Sequence, residues 1–230
     1  MSNDNPLIII TGASSGIGSE IAKQFSQAGF SLGLLARNLQ ALKALNLPNT
    51  LCIETDVTDA MAFKSAVIES ERKFGAVHGL INNAGFMKGG DFTSITHPDH
   101  EAMIRVNILG VMNGIEAILP SMQSRKSGTI INISSLADRN ARPELATYAA
   151  TKAAVKSLSE SIRMANAKYG IRVCNVAPAK IKTSLLRQSN LNDEQLISVE
   201  DMAKTILWIY QQPQHICIRD MVIAPTYYEA

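Results

Sequence analysis

The stretch Leu7-Ile-Ile-Ile-Thr-Gly-Ala-Ser-Ser-Gly-Ile-Gly18 decides the fold of this chain. Its apolar first part, Leu7–Thr11, predicts a short buried strand. A glycine turn follows, and apolar residues then recur at helical spacing from Ile17 to Phe25. Glycines let a backbone approach a pyrophosphate, and a helix N-terminus presents free N–H groups to it. Strand, turn and helix together therefore predict a dinucleotide-binding unit rather than a purely structural turn.

The rest of the chain alternates strands with helices. Further apolar runs predict strands over Ser31–Leu35, Thr50–Glu54, Gly79–Ile81, Thr129–Ile133, Arg172–Val176 and Met221–Ala224. Helical periodicity predicts helices over Thr58–Phe74, His100–Met122 and Ala146–Tyr169, and a capping box at Ser198–Asp201 opens another. This alternation is typical of an α/β fold. We expect a single Rossmann-type domain over residues 1–230, with a doubly wound parallel sheet of about seven strands and helices on both faces.

A polar stretch, Ser184–Asn192, interrupts this pattern after the sixth predicted strand. We expect it to form a short substrate flap around residues 184–198.

The composition of the 230-residue chain fits an ordinary soluble globular protein, with 46% hydrophobic and 18% charged residues. A net charge of +2 is too small to predict binding to nucleic acid or to an anionic membrane. Cys52, Cys174 and Cys217 lie far apart in apolar runs, so we expect buried thiols in a reducing compartment, not disulfides or a metal site. The sequence shows no signal peptide and no apolar run approaching the roughly 18–20 residues of a membrane span. These features predict a cytoplasmic protein without a metal.

Arg37 stands at the tip of the second predicted strand, where it bears on the choice of cofactor. An acidic residue there would hydrogen-bond a ribose diol, whereas an arginine accepts a 2′-phosphate. Arg37 therefore favours NADP(H) over NAD(H). The alternative is an ordinary solvent-exposed arginine at a strand end.

Tyr148 and Lys152 are four residues apart in a predicted helix, which places both side chains on one face. A free tyrosine has a pKa near ~10, too high for proton transfer at neutral pH. The Lys152 ammonium is expected to lower the pKa of Tyr148, so that this residue can exchange a proton with a carbonyl or hydroxyl oxygen. Ser135, just beyond the strand Thr129–Ile133, can hydrogen-bond the same oxygen. Taken alone, the Tyr–Lys pair would equally fit a helix surface.

Over nearly its whole length the chain resembles the short-chain dehydrogenase/reductase family. The motifs that carry the resemblance are Thr11–Gly18 with its G-x-x-x-G-x-G spacing, Asp56, Asn82–Gly85, Asn107, Ser135, Tyr148-x-x-x-Lys152 and Pro178–Thr183. Each motif is weak alone, but all of them in this order are specific. The resemblance implies an NADP(H)-dependent oxidoreductase that interconverts a secondary alcohol and a carbonyl by hydride transfer. The competing class is a non-catalytic NADP-binding sensor or scaffold, which often lacks the Tyr or the Lys that this chain retains.

The resemblance assigns catalytic roles to four residues. Tyr148 is the acid/base, Lys152 lowers its pKa and bonds the nicotinamide ribose, Ser135 orients the substrate and Asn107 holds a water in a proton relay. Asp56 is expected at the adenine, Asn83 near the adenosine-side ribose, and Ile181 and Thr183 at the carboxamide. The full set of expected cofactor contacts is Gly12, Ser14, Ser15, Gly16, Ile17, Gly18, Arg37, Asn38, Asp56, Val57, Asn83, Ala84, Gly85, Tyr148, Lys152, Pro178, Ile181 and Thr183.

The chain departs from the family pattern at two positions. Ala179 replaces the usual glycine after Pro178, which affects the backbone path near the nicotinamide, and Asp138 replaces another common glycine. The C-terminal stretch Ile216–Thr226 resembles a subgroup that acts on short 3-hydroxy acids. Family members are often tetramers built through two long helices, so we expect a small-molecule substrate and a homo-oligomer.

Overall fold

Seven strands form one parallel sheet in the residues that the computed structural model describes, 5–182 and 196–228. The strands are β1 (Leu7–Thr11), β2 (Ser31–Ala36), β3 (Thr50–Glu54), β4 (Val77–Asn82), β5 (Gly128–Ile133), β6 (Ile171–Pro178) and β7 (Asp220–Ile223). Their order in the sheet is β3-β2-β1-β4-β5-β6-β7, and every pairing is parallel. The direction in which strands are added therefore reverses between β1 and β4, as in a doubly wound sheet.

Helices follow most of the strands. They are α1 (Gly16–Gln27), α2 (Leu39–Ala44), α3 (Ala60–Phe74), α4 (His97–Ile104), α5 (Gly110–Arg125), α6 (Ala146–Asn166) and α7 (Val199–Gln211). The sequence-based prediction missed the short helix α2, which begins after an Asn38 cap whose side chain accepts a hydrogen bond from the Ala41 amide. It placed the start of α3 two residues too early, because Asp59 caps that helix. The predicted cap at Ser198 is confirmed: its hydroxyl accepts a hydrogen bond from the Asp201 amide.

The helices cover both faces of the sheet, as the alternation of side chains along each strand requires. On one face, Ile8 packs in a core cluster with Phe25 of α1 and Ile206 of α7. On the other face, Ile9 packs in a second cluster with Phe63 of α3 and with residues of α5 and α6. The predicted α/β class with a doubly wound parallel sheet is thus confirmed.

The helix predicted over His100–Met122 is longer and less regular than its sequence indicated. Its helical residues run from His97 to Arg125, with a π-helical segment at Arg105–Leu109 between α4 and α5. By length and apolar content, His97–Arg125 would suffice to cross a membrane, although a core helix of a soluble protein meets the same criteria. The C-terminal part of its apolar stripe, from Val111 to Met122, is buried against the sheet.

The three cysteines differ in their surroundings. Cys174 is buried in β6, whereas Cys52 and Cys217 are only half-buried, so the expectation of three buried thiols is wrong for two of them. Cys52 lies on β3, an edge strand of the sheet, and Cys217 lies in the chain just before β7, the other edge. Both cysteines therefore lie at an edge of the sheet, where the rest of the protein covers them less completely than it covers the central strands.

A chain of buried amides fixes α6 to the sheet. Asn82 of β4 donates from its amide to the side-chain oxygen of Asn132 of β5, at 2.8 Å. Asn132 in turn donates to the Ser159 hydroxyl of α6 at 2.9 Å. Because a buried polar group without a partner is costly, this chain of contacts favours a single position of α6.

Candidate active site

One cleft lies along the edge of the sheet where the strands end. It consists of two adjoining cavities, of about 520 Å³ and about 410 Å³. The larger begins at the turn after β1, and we call it the cofactor-side cavity; the smaller contains Tyr148, and we call it the substrate-side cavity. Four residues line both: Ile17, Asn83, Gly85 and Phe86. The two cavities are therefore two ends of one site at the reversal point between β1 and β4.

Hydrogen bonds between the ends of β1 and β4 shape the centre of this cleft. The Thr11 hydroxyl accepts hydrogen bonds from the backbone amides of Asn83 and Ala84, both at 3.0 Å. The Asn83 side chain donates to the carbonyls of Thr11 and Gly12, at 3.0 and 3.3 Å. The predicted contact of Asn83 with the adenosine-side ribose stays a prediction: the residue lines the cleft, and its amide nitrogen also holds the glycine turn.

The cofactor-side cavity collects twelve of the predicted cofactor residues. They are Gly12, Ser14, Ser15, Gly16, Ile17, Arg37, Asn38, Asp56, Val57, Asn83, Ala84 and Gly85. Gly12 and Gly16 have φ angles of 65° and 56°, which side-chain-bearing residues adopt only with strain. No side chain caps the N-terminus of α1 in the described residues, and its first turn has no acidic residue. The free amides of this turn suit a phosphate group.

Gly18 is the predicted cofactor residue that the structure places outside both cavities. A Cβ atom there would lie 2.3 Å from the Gly12 carbonyl oxygen and 2.5 Å from the Asn83 amide nitrogen. Gly18 therefore permits α1 to pack closely against the turn and the Asn83 side chain, a structural role. Thr183 and most of the predicted flap, residues 184–195, lie outside the described residues.

Charged groups surround the far end of the cofactor-side cavity. Arg37 is exposed at the tip of β2. The Thr58 backbone amide, which donates to Asp56 at 2.9 Å, is the main cause that lowers the pKa of the Asp56 carboxyl; Arg37 and Arg105 act in the same direction. A negatively charged Asp56 thus faces the two arginines. The sequence analysis did not single out Arg105, which lies within the helix predicted over His100–Met122.

Five more residues line this cavity without having been predicted: Ala36, Thr55, Phe86, Ala102 and Val106. Ala102 and Val106 are four residues apart, so they lie on one helix face. This spacing was visible in the sequence, but it lies beside the stronger apolar stripe that packs on the sheet.

Tyr148 and Lys152 lie near the start of α6 and line the substrate-side cavity together with Ser135, Pro178 and Ile181. The Lys152 ammonium lies 5.7 Å from the Tyr148 ring centroid and donates to the Ile133 carbonyl at 2.9 Å. The predicted catalytic Tyr, Lys and Ser are therefore brought together.

The position of the Ser135 side chain is set by a hydrogen bond with the backbone two residues further along. It caps a 3-10 turn at Leu136–Asp138, and its hydroxyl accepts a hydrogen bond from the Ala137 amide at 3.2 Å. A side-chain hydrogen bond between Ser135 and Tyr148 acts to lower the pKa of the tyrosine. This contact places the two hydroxyl groups around one point in the cavity.

The net shift of Tyr148 is opposite to the one expected. Burial is the largest influence and raises the pKa of Tyr148; the Ser135 hydrogen bond opposes this rise, and the negative charge of Asp138 adds to it. Burial also lowers the pKa of Lys152 to about 8, against the attraction of Asp138. With a pKa of about 8, Lys152 is still mostly protonated at pH 7, but it loses its charge at a lower pH than a free lysine does. The sequence spacing indicated the pair of residues, but not the desolvation that governs both.

Asp138, the residue that replaces a common family glycine, is a buried carboxylate beneath the catalytic pair. Its side chain is fully buried. It accepts hydrogen bonds from the Ser134 hydroxyl at 2.9 Å and from the Asn175 amide at 3.0 Å. Arg139 pairs with both Asp138 and Asp220. These partners offset the cost of burying the charge.

Asn107 lies on the π-helical segment and lines neither cavity; it is fully buried behind the cavity wall. Its side chain accepts from the Phe86 amide at 2.8 Å and donates to the Phe86 carbonyl at 2.9 Å. It also donates to the Thr151 hydroxyl at 3.0 Å. Asn107 thus joins the Phe86 backbone, which borders both cavities, to the helix that carries Tyr148 and Lys152.

The sequence family agrees with this architecture. The family model described as short chain dehydrogenase matches residues 6–194. The chain therefore belongs to the short-chain dehydrogenase family of oxidoreductases. Among curated relatives, an uncharacterised oxidoreductase of Listeria monocytogenes is 35% identical, with 98% of each chain covered. Another uncharacterised oxidoreductase, of Staphylococcus saprophyticus, is 33% identical over 95% of this chain and 96% of the relative.

Solved structures show the same fold. A serine dehydrogenase complexed with NADP+, in its closed form, superposes with a TM-score of 0.90 at 25% identity, covering 97% of this chain and 96% of that one. ElxO with NADP bound gives 0.89 at 28% identity, covering 97% and 98%. An alcohol dehydrogenase from the archaeon Thermococcus sibiricus gives 0.90 at 22% identity, covering 99% of each chain, which speaks for the fold alone.

Replacing the Asp138 carboxylate should move the titration of Lys152. Because Asp138 raises the pKa of Lys152 and burial lowers it to about 8, the Asp138→Asn variant should titrate at a lower pH than the wild type. NMR of lysine-labelled protein measures this midpoint, and loss of the signal in Lys152→Met assigns it. Glu116→Gln, which removes an exposed carboxylate on α5, should leave the midpoint in place. An unchanged or raised midpoint in Asp138→Asn would contradict the coupling.

Proposed function

We propose that this protein is an NADP(H)-dependent oxidoreductase that interconverts a secondary alcohol and a carbonyl, with Tyr148 as the acid/base. The observation that carries the proposal is the meeting of Tyr148, Lys152 and Ser135 in the substrate-side cavity, next to the cofactor-side cavity. The free amides of the α1 turn and the exposed Arg37 support a phosphate-bearing dinucleotide in the adjoining cavity. The NADP in the structures of similar serine dehydrogenase and ElxO supports the same cofactor.

A nicotinamide dinucleotide supplies or accepts the hydride in this chemistry. Tyr148 then gives its hydroxyl proton to the carbonyl oxygen, or as phenolate removes one from the alcohol. The Ser135 hydroxyl hydrogen-bonds the same substrate oxygen and stabilises charge that develops there. The charged form of Lys152 favours the phenolate. Asn107 is proposed to hold the Phe86 backbone and α6 at the relative position that this proton transfer needs. It is also proposed to bind a water molecule that takes part in a proton relay.

The substrate is proposed to be a small hydroxy or oxo compound, with a short 3-hydroxy acid as the leading class. The cavity of about 410 Å³ has mainly apolar walls, among them Leu136, Leu145 and Ile181, which suit a short carbon chain. The alternative is a sensor or scaffold that binds NADP without turnover. The complete set of Tyr148, Lys152 and Ser135 supports an enzyme. The three free cysteines of the protein favour a cytoplasmic location.

Removal of the Tyr148 hydroxyl tests the enzyme against the sensor. Tyr148→Phe keeps the ring but not the proton donor, so turnover should fall by at least the ~10²–10⁴-fold assigned to general acid–base catalysis. Reduction of a panel of small carbonyl compounds, followed by nicotinamide absorbance, measures it. Tyr169→Phe, in the 3-10 turn that follows α6, is the matched control and should keep wild-type turnover. Binding of NADPH by fluorescence titration should be retained in both variants. Near-normal turnover in Tyr148→Phe would overturn the assignment.

Arg37 should decide the choice between the two cofactors. The 2′-phosphate is doubly charged near neutral pH, and a charge-assisted contact of about 1.5–3 kcal/mol corresponds to roughly ten- to more than a hundredfold in affinity. Wild-type protein should therefore bind NADPH more tightly than NADH. Arg37→Ala should weaken NADPH by that factor and leave NADH nearly unchanged, as measured by fluorescence titration.

The matched control for this cofactor experiment is Arg72→Ala, which removes an exposed arginine from the last turn of α3. It should alter neither affinity. Equal affinity of the wild type for both cofactors, or equal losses in Arg37→Ala, would identify Arg37 as a surface arginine only.

A homo-oligomer, with a tetramer as the leading form, is part of the proposal. Its support is the apolar surface left on the two long helical segments: Ile104 and Leu109 are 46% and 40% exposed, and Met164 of α6 is 65% exposed. Since side chains of this kind are usually covered, a second copy of the chain is expected there. Light scattering at micromolar concentration should give a mass above that of the 24.9 kDa chain. A monomer would contradict it.

A further inference from the structure

Two cations and a tyrosine line the substrate-side cavity apart from the catalytic residues. They are Arg142, Lys180 and Tyr228. The Arg142 guanidinium donates to the Tyr228 hydroxyl, and its central carbon lies 5.8 Å from the Tyr228 ring centroid. The Lys180 ammonium lies 5.9 Å from the same centroid. Both cations are therefore gathered around one aromatic ring.

Three distant parts of the sequence build this cation pair. Arg142 precedes a 3-10 turn at Pro143–Leu145, and Lys180 follows the end of β6. The Lys180 carbonyl accepts from the Ile197 amide at 2.9 Å, which fixes its backbone. The Tyr228 amide donates to the Pro225 carbonyl at 3.0 Å, so a turn brings the C-terminal tyrosine to the cavity. Contacts from three segments position the pair, as in a built binding site.

The negative charge near this pair is small. Among the described residues that line the cavity, Glu144 is the one carboxylate; it lies 3.9 Å from Arg142, and its side chain is 57% exposed. Among the described residues, no carboxylate lies within ion-pair distance of Lys180. A cation beside apolar walls is poorly solvated, so pairing with an anionic group of a ligand stabilises it strongly. Within the part of the chain that the structure describes, the positive charge of the site therefore exceeds the negative charge beside it, and an anionic ligand can balance it.

We infer that Arg142 and Lys180 bind the carboxylate of the substrate, with Tyr228 holding Arg142 in place, and that the protein therefore acts on hydroxy acids and oxo acids. This inference rests on the proposed function, because it assigns the other end of the same substrate. The reacting oxygen lies at Tyr148 and Ser135, the carboxylate at the cation pair, and the carbon chain between them lies along Leu136 and the other apolar walls.

Matched acids and esters provide the test. The substrates are 2-hydroxy-, 3-hydroxy- and 4-hydroxypentanoate together with their methyl esters. All are secondary alcohols of one chain length, so the series also reports the distance between carboxylate and reacting carbon. We measure kcat and KM with NADP+ by nicotinamide absorbance. At least one acid should exceed its ester by about tenfold or more in kcat/KM, the effect of one charge-assisted contact.

Binding of the substrate carboxylate by Arg142 and Lys180 is called the carboxylate clamp here. Two variants and a control separate this clamp from general effects on turnover. Arg142→Gln should lower kcat/KM for the preferred acid by about ten- to a hundredfold, mainly through KM, and lower that of the ester by less than about threefold. Lys180→Gln should act in the same direction. Lys88→Gln removes one exposed positive charge outside the cavity and should change neither substrate. A KM effect confined to acids would not follow from a merely structural role of Arg142.

The outcomes distinguish this inference from the proposed function. Turnover of esters as fast as acids, with equal losses in Arg142→Gln, would overturn the carboxylate clamp and leave the oxidoreductase standing. Absence of turnover for every compound would count against the proposed function, and the clamp is then decided by calorimetry with pentanoate and pentanamide. Binding of pentanoate but not pentanamide, lost in Arg142→Gln, would support the clamp. Equal binding of both, or binding of neither, would overturn it.

Discussion

The hydrogen bonds between Thr11 and Asn83 are the constraint on which the site depends. They join β1 to β4, which are neighbours in the sheet although two strands separate them in the sequence. The same contacts hold the glycine turn, because Asn83 also donates to the Gly12 carbonyl. A slip between the two strands would separate the turn from the Ala84–Gly85 backbone, which lines the cofactor-side cavity. The cofactor-side geometry therefore follows from one strand pairing.

Gly85 connects this strand pairing to Asn107 and Lys152, because it lies next to both side chains. A Cβ atom at Gly85 would lie at ordinary contact distance, 3.5 Å from the Asn107 carboxamide oxygen and 3.7 Å from the Lys152 ammonium, so the Gly85 backbone packs directly against both side chains. Asn107 then holds Phe86 from behind and contacts Thr151 of α6. Asn107 and Thr151 are buried, so a lost partner would leave an unsatisfied polar atom at a cost of about 1–3 kcal/mol. The helix α6, which carries Tyr148 and Lys152, is thus fixed by the same loop that lines the cofactor-side cavity.

The sequence predicted those features that depend on local pattern. Apolar runs such as Leu7–Thr11 gave the strands, and parallel topology placed their motifs at one edge. It did not predict the π-helical segment around Asn107, because the apolar stripe of that helix continues without a break. It did not predict the burial of Asp138, since loop carboxylates are mostly exposed. Nor did it indicate that Arg142, Lys180 and Tyr228 meet, because only the folded chain brings three distant segments together.

Asp138 explains how Tyr148 and Lys152 can differ in charge while they share one buried site. Burial alone disfavours charge on both residues, raising the pKa of Tyr148 and lowering that of Lys152. The Asp138 carboxylate opposes burial at Lys152 and reinforces it at Tyr148, so it favours an ammonium beside a neutral phenol. In the proposed reaction, a neutral Tyr148 is the form that can give a proton to a carbonyl oxygen. Removing a proton from an alcohol instead requires the phenolate, which the Lys152 charge and the positive ring of an oxidised nicotinamide would both stabilise.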